Sequence, residues 1–372
     1  MEGFAACFSE LEDPREDNAR HDLHAILVIA FCAMLCGAED CSDMAVFGRA
    51  KEGFLRRFLP LRRGVPSHDT FSRVFRLLDP ARFEACFSRF MQRFADAARG
   101  VVAVDGKTLR RSYDRATEAS SLHLVSAWAC GARLVLGQVA VAVGSNEITA
   151  IPKLLEMLSL EGCVVTADAM GCQRATAERV IERGGAYVLA LKGNQGTLHE
   201  DMALYLDDPK HAPKLARSRG VDAGHGRIET REAYVCADVG WLQERHAWPG
   251  LAAIGKVART REAGGKIGRE TAYFLLSAAL PPERFGEVVR AHWGIENGLH
   301  WVLDVTMGED QNRSRKGNAP QNLALLRRLA LNVMRLEGSK GSNKGKFKRA
   351  GWDDTFLARL LAAAGETQAP HP

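Results

Sequence analysis

The chain has 372 residues, 46% of them hydrophobic, which is enough apolar material for two or three packed domains and too much for a chain disordered throughout. Its formal charge is only +5, yet eleven Lys or Arg stand against the single acid Glu337 between Gln311 and Ala350, a stretch that suits a phosphate backbone or a solvated tail. Nine cysteines with no C-x-x-C pair speak against a zinc site or a disulfide framework, and the longest apolar run, Ala25 to Ala38, is too short to span a membrane.

Residues 1–98 read as all helix. Ser9-Glu10-Leu11-Glu12 has the form of a capping box. Glu10, Glu12 and Asp13 stand where a secretory signal would be basic, so no export is expected and the expectation is a cytoplasmic protein. The run Ala25 to Leu35 predicts a buried helix. After the turn Gly64-Val65-Pro66, Ser67 is placed to cap a short helix to Leu78; its His68, Arg73 and Arg76 make it a candidate recognition helix for a DNA groove, although any two packed helices imitate that motif. Asp79-Pro80 opens a further helix in which Phe83, Phe87, Phe90 and Phe94 share one face, as a core stripe would.

From Gly100 the pattern changes. Val101 to Val104 is a short β-branched run ending at Asp105, and strands follow over Leu122–Ala129 and Arg133–Val143. A helix over about 147–160 leads to the strand Cys163–Ala167, which ends at Asp168; a helix over about 172–183 leads to the strand Tyr187–Leu191. Three antiparallel strands followed by helical crossovers predict an α/β fold with a mixed sheet and helices on its faces. Residues 205–280, rich in Gly and short strands, read as a β-rich insertion. A long helix is expected from Pro281-Pro282 through Leu303 and another over Ala319–Leu336, while the Gly/Ser/Lys stretch 338–348 makes residues 337–372 a basic, partly flexible tail.

Asp105 and Asp168 each follow an apolar strand. Either alone is explained as a turn-starting residue, but two in this topology converge on the crevice at the strand ends. A third acid comes from His292-Trp293-Gly294-Ile295-Glu296-Asn297-Gly298-Leu299-His300-Trp301-Val302-Leu303-Asp304, where His292, Glu296, His300 and Asp304 fall at i+4 steps. The wet face of an amphipathic helix would look the same, and helix propensity gives no reason for the two Trp and two Gly. Carboxylates from two strands and a helix suit a pair of Mg²⁺ ions working on a phosphodiester. Zinc is disfavoured, because neither an H-E-x-x-H run nor Cys partners accompany the histidines.

Taken together these stretches resemble the DDE transposases of insertion sequences, in the ISAs-type branch with the H-repeat-associated proteins. The resemblance runs from about residue 8 to 335 through Asp13-Pro14-Arg15, Arg20-His21, Gly37-Ala38, Gly64 to Thr70, Val104-Asp105-Gly106-Lys107, Asp168-Ala169-Met170, Leu191 to Gln195, His225 to Arg231 and His292 to Asn297. It implies an RNase H-like mixed sheet with flanking helices, a β-rich insertion and an N-terminal all-α domain for reading element ends. It also implies Asp105, Asp168 and Glu296 as a catalytic triad holding two Mg²⁺ or Mn²⁺ ions. The implied partners are double-stranded DNA, as terminal repeats and target, and a second copy of the chain in the synaptic complex, with no membrane and no organic cofactor. Candidate DNA contacts are Lys107, Lys192, Asn194, Gln195, His225, Arg227 and Arg231 in the matching motifs, Arg290, His292 and His300 around the glutamate, and Arg313, Arg327 and Arg328 in the basic block. The tyrosine-arginine-glutamate-lysine signature of related transposases is altered here, with Val289, His292 and Leu303 at the other three positions. The competing functions are a stand-alone RNase H-like nuclease and a DNA-binding protein that has kept the fold without the chemistry.

Overall fold

The apolar run near the N-terminus forms α1 (Leu23–Leu35) in the computed structural model of the chain, which describes all residues except 1–5, 16–18, 95–98, 115–119, 225 and 366–372. Asp22 caps α1 through the Ala25 N–H, and beyond the half-buried His24 of its first turn the helix is apolar and buried around its whole circumference. Around it pack α2 (Cys41–Ala50), α3 (His68–Leu77, capped by Ser67) and α4 (Pro80–Gln92, capped by Asp79). The four phenylalanines at positions 83, 87, 90 and 94 are all buried, so the stripe is core.

Among the described residues the sheet has nine strands: β1 (Gly100–Thr108), β2 (His123–Ala129), β3 (Leu134–Ala140), β4 (Cys163–Ala167), β5 (Ala186–Leu191), β6 (Ala216–Gly224), β7 (Arg227–Cys236), β8 (Ala253–Ala263) and β9 (Lys266–Leu276). Their order is β3-β2-β1-β4-β5-β9-β8-β7-β6. In its first five strands β2 alone runs against the others, pairing antiparallel with both β1 and β3, while β1 pairs parallel with β4 and β4 with β5, the RNase H-like arrangement. The crossovers α5 (Glu147–Glu156) and α6 (Arg174–Glu182) bury Ile151, Leu154 and Val180 against Val102, Val104 and Val165 on one face.

The β-rich insertion does not stand apart. It follows α7 (Gly196–Asp207) and joins the same sheet, β9 pairing antiparallel with β5 from Val188↔Leu276 to Leu191↔Tyr273, so that β5 has no bare edge; α8 (Gly240–His246) lies between β7 and β8.

On the opposite face lie α9 (Pro282–His292), α10 (Trp301–Val305) and α11 (Ala319–Leu336). The single long helix expected through Leu303 is broken: α9 stops at His292, a turn follows at Trp293, and Glu296–His300 is one π-helical turn before α10. Part of the stretch expected to be flexible is helical: after 338–342, which form no regular element, come α12 (Asn343–Trp352) and α13 (Asp354–Ala363), while residues 366–372 of the expected tail lie outside the described residues. Phe347, Phe356, Leu357 and Leu360 share one apolar core with α1, α4 and α11, and this packing outweighs the helix-poor local composition. No helix among the described residues is long and apolar enough to cross a membrane.

Candidate active site at the strand ends

Strand register sets the first two acids side by side. The parallel ladder of β1 and β4 ends with Ala103↔Thr166 and Val104↔Ala167, so the next pair is Asp105 and Asp168. Side chains alternate along a strand, and Ala103 packs on the core of the α9–α11 side while Val102 and Val104 face α5; Asp105, two residues beyond Ala103, therefore faces the helices that follow the insertion. Thr166 confirms the face for β4, because its hydroxyl lies 3.0 Å from His292 Nδ1 at the end of α9. Asp105 is not the end of its strand, as the sequence suggested. β2 continues to pair with β1 out to Thr108↔His123, so Asp105 sits on ordered backbone opposite Ser126. Asp168 does begin a turn, accepting from the N–H groups of Met170 (3.0 Å) and Gly171 (3.1 Å); a Cβ on Gly171 would come within 2.7 Å of the Ala167 Cβ, so the turn needs that glycine.

Glu296 opens the π-helical turn, in which the Trp301 N–H donates to the Glu296 carbonyl five residues back. An i+4 step overshoots one α-helical turn by about 40°. The wider turn takes up that drift, and brings His300 to Asp105 (Nδ1 to Oδ2 3.6 Å) and Asp304 to Lys107 (2.7 Å). One of the two glycines of this segment is also explained: the Trp128 ring of β2 lies beneath it, 3.1 Å from where a Gly298 Cβ would be, whereas a Cβ on Gly294 would meet the ring only at an ordinary 4.0 Å. Ile295, Leu299 and Val302 are buried on the inner side, while Glu296, Trp293, Trp301 and Val305 are exposed.

Electrostatics join the three acids. Burial pushes the Asp105 carboxyl up to about 7; the Gly106 N–H opposes this, and the negative charges of Glu147, Asp168 and Glu296 add to the rise. Glu147 is a fourth acid that the sequence did not disclose. It reads as an ordinary first-turn acid of α5, yet its Oε1 lies 2.7 Å from His123 Nε2, and a Cβ on Gly106 would overlap both groups. Among the described residues no three His, Cys, Asp or Glu groups are close enough to ligate one ion together. Asp105, Asp168 and Glu296 are nonetheless hard oxygen donors whose crowded charge is relieved by a divalent cation, so the donor set fits one. Burial lowers the pKa of His292 despite the pull of Asp168, and burial with Arg328 and Lys107 drives His300 down to about 4. Both rings are therefore neutral near pH 7, and the His300–Asp105 contact is not an ion pair.

The remaining candidates divide by burial. Lys192, at the end of β5, and Arg227 and Arg313 are exposed. Arg290 is exposed and pairs with Asp222 at 2.9 Å, and Arg231 is held by Asp222 and Glu229, both at 2.6 Å. Asn194 donates to the Ala169 carbonyl and Gln195 to the Cys172 carbonyl, tying the loop after β5 to the Asp168 turn. Lys107 is buried among carboxylates, and Arg327 and Arg328 are at most 1% exposed; as placed, none of the three can meet a phosphate. α11 is enclosed by the sheet and the N-terminal helices, so it has no outer side to offer an arginine there. His225 lies outside the described residues.

Comparison with known proteins decides the family. Residues 96–333 match the family model described as "Transposase DDE domain", and residues 5–91 match the one described as "DDE_Tnp_1-associated". The chain belongs to the DDE transposase family. It is 36% identical over 360 residues to the "H repeat-associated putative transposase YhhI" of Escherichia coli, covering 94% of each chain. To a Xanthobacter autotrophicus protein described as "Uncharacterized protein in dhlA 3'region" it is 44% identical over 279 residues, 74% of this chain and 94% of that one. A solved piggyBac transposase synaptic complex with hairpin DNA overlaps it at TM-score 0.44 and 11% identity, covering 99% of this chain and 81% of that one. The RNase H-like fold is established by the strand order, not by that overlap. This DDE transposase is of the insertion-sequence type, an enzyme that acts on DNA in a family whose chemistry depends on divalent metal.

Proposed function

We propose that this transposase cuts the ends of its element and joins them to target DNA in the crevice where β1 runs past the end of β4, with Asp105, Asp168 and Glu296 holding two Mg²⁺ or Mn²⁺ ions. The observation that carries the assignment is the register placing Asp105 beside Asp168 on the face that Glu296 overlooks. Bound there, the ions would activate the attacking oxygen and stabilise the leaving one. The chain's own groups supply position. Backbone pairing fixes Asp105, two N–H groups orient the Asp168 carboxylate, and Asn194 and Gln195 steady its turn. Neutral His292 and His300 pack beside these acids without adding a competing cation.

Water is the first nucleophile and the freed 3′-hydroxyl the second, so one site serves both steps. Exposed Lys192, Arg227 and Arg313 are suited to phosphates. The exposed rings of Trp293 and Trp301 flank Glu296 and present aromatic surface to the nucleotides next to the scissile bond. End recognition falls to residues 1–98, where Arg73 and Arg76 are exposed on α3 while Phe71, Val74 and Phe75 anchor its inner side. Two copies acting on the two element ends complete the reading.

Asp105→Ala, Asp168→Ala and Glu296→Ala each remove a metal ligand and no phosphate contact, so each should abolish cleavage of end-bearing duplex while DNA affinity stays within a few-fold of wild type. Near-wild-type cleavage by any one of them removes that residue from the triad.

A further inference from the structure

Lys107 follows Asp105 by two residues on β1, so both side chains leave the strand on the same face, toward α10 and α11. Only 7% of the Lys107 side chain is exposed. Its ammonium lies 2.7 Å from Asp304 Oδ1, 3.1 Å from Asp310 Oδ1 and 3.7 Å from Glu309 Oε2. Glu309 is itself fully buried and bound to Arg328 of α11 at 2.7 Å, and Arg110 approaches Asp310 at 3.5 Å. One ammonium thus joins the strand of Asp105 to α10, to the turn after it and, through Glu309, to α11. The ammonium donates a hydrogen bond to Asp310 and meets Asp304 and Glu309 by charge alone, and lysine suits this place because a compact point charge can answer carboxylates that converge from different directions, where a flat guanidinium would be held in one plane.

The geometry points to Lys107 as a positioning residue that locks the segment bearing Glu296 against the strand bearing Asp105. This rests on the carboxylate assignment proposed above. Asp304 lies eight residues beyond Glu296 on the same helical rod, and His300, between them, touches Asp105 at 3.6 Å. Two contacts along one rod, both to one strand, set how far the rod slides and how it is turned. Those two quantities decide whether Glu296 reaches the same ion as Asp105. Burial of Lys107 among three carboxylates also removes it from the DNA surface.

The test uses the full-length protein and Mn²⁺ as the probe. Mn²⁺ binding is read by electron paramagnetic resonance without DNA, folding by thermal unfolding, and cleavage as a function of Mn²⁺ concentration. Asp304→Asn removes one half-exposed arm of the clasp, and it carries the test if Lys107→Met fails to fold. Both variants, where folded, should bind Mn²⁺ about tenfold more weakly, in the range typical of groups that orient metal ligands, and need correspondingly more Mn²⁺ for half-maximal cleavage. Lys107→Arg, which keeps the charge, should recover part of the loss. Unchanged Mn²⁺ affinity in folded Asp304→Asn, whether or not its melting temperature falls, would overturn the proposal by leaving the clasp only a structural role. Wild-type Mn²⁺ binding by Asp105→Asn would instead overturn the carboxylate assignment, and the proposal with it.

Discussion

Replacing Arg328 by Met tests whether the basic block of the C-terminal part is surface or interior. Arg328 and Glu309 are both completely inaccessible, their Nη1 and Oε1 are 2.7 Å apart, and Nη1 also donates to the Ala324 carbonyl at 3.0 Å. Removing the guanidinium leaves Glu309 buried with Lys107 at 3.7 Å. Breaking a buried pair from one side costs about 3–5 kcal/mol, a large share of the roughly 5–15 kcal/mol that holds a folded protein. Urea unfolding at pH 7.5 should therefore show a loss of about 3–5 kcal/mol for Arg328→Met, and the double variant with Glu309→Met should recover about 2 kcal/mol relative to the sum of the single changes. Burial alone would raise the pKa of Glu309, but Arg328, Lys107 and Arg327 pull it below the ordinary range. Its contribution is thus present above the unfolded carboxylate pKa and lost as pH falls through the lower folded value, so the difference between wild type and variant should shrink in acid. The salt dependence of DNA binding should not change, since a buried arginine releases no counterions. Unchanged stability together with a log–log salt slope smaller by about 0.9 would instead place Arg328 on a phosphate and not in the interior.

Two further outcomes follow from buried and exposed charge. Glu84 of α4 is buried, and burial pushes its carboxyl up to about 8 although it accepts the Gln138 N–H and feels Arg328. A carboxyl raised above its unfolded value costs stability as pH rises from about 4.5 to about 8, so Glu84→Gln should stabilise the protein at pH 8.5, have little effect near pH 4.5, and flatten the pH dependence of the urea midpoint between them; equal midpoints at pH 8.5 would contradict this. On α12, Lys344 and Lys348 are exposed, whereas Lys346 is buried with its ammonium 3.0 Å from Glu337 and 3.4 Å from the Met334 carbonyl. Changing Lys344 and Lys348 together to Gln should weaken binding to every duplex alike and lower the salt slope by about 1.8, while Lys346→Gln should lower stability and leave the slope alone; a salt titration that reversed the two would refute the assignment.

How much of this was legible in the sequence depends on what each residue needed to be read. Asp105 and Asp168 were legible as acids closing two apolar runs and Glu296 as one acid of an i+4 polar stripe, but the strand end expected at Asp105 lies three residues further on, because β2 goes on pairing with β1 to Thr108. Arg327 and Arg328 could not be placed by charge. A helix surface is outside only if nothing packs there, and α11, with Leu325, Leu326, Leu329 and Leu331 spread around it, is buried on nearly every side. That wide apolar coverage was the available signal, and it outranks two adjacent arginines. Glu147, His123, Glu309 and Asp310 carried no signal of their own, since each gains its role from a partner far away in the chain.

Gly298 is answered by the Trp128 ring beneath it, and the i+4 polar stripe by the π-helical turn that holds His300 and Asp304 toward β1. A continuous α-helix through the same residues would let the stripe drift, and Asp304 would turn away from Lys107 as Glu296 kept its place. The irregular turn is therefore what allows one short rod to present a carboxylate at its exposed end and be anchored at its buried one. The exposed tryptophans at positions 293 and 301 are left on the only side of that rod which is not already packed against the sheet.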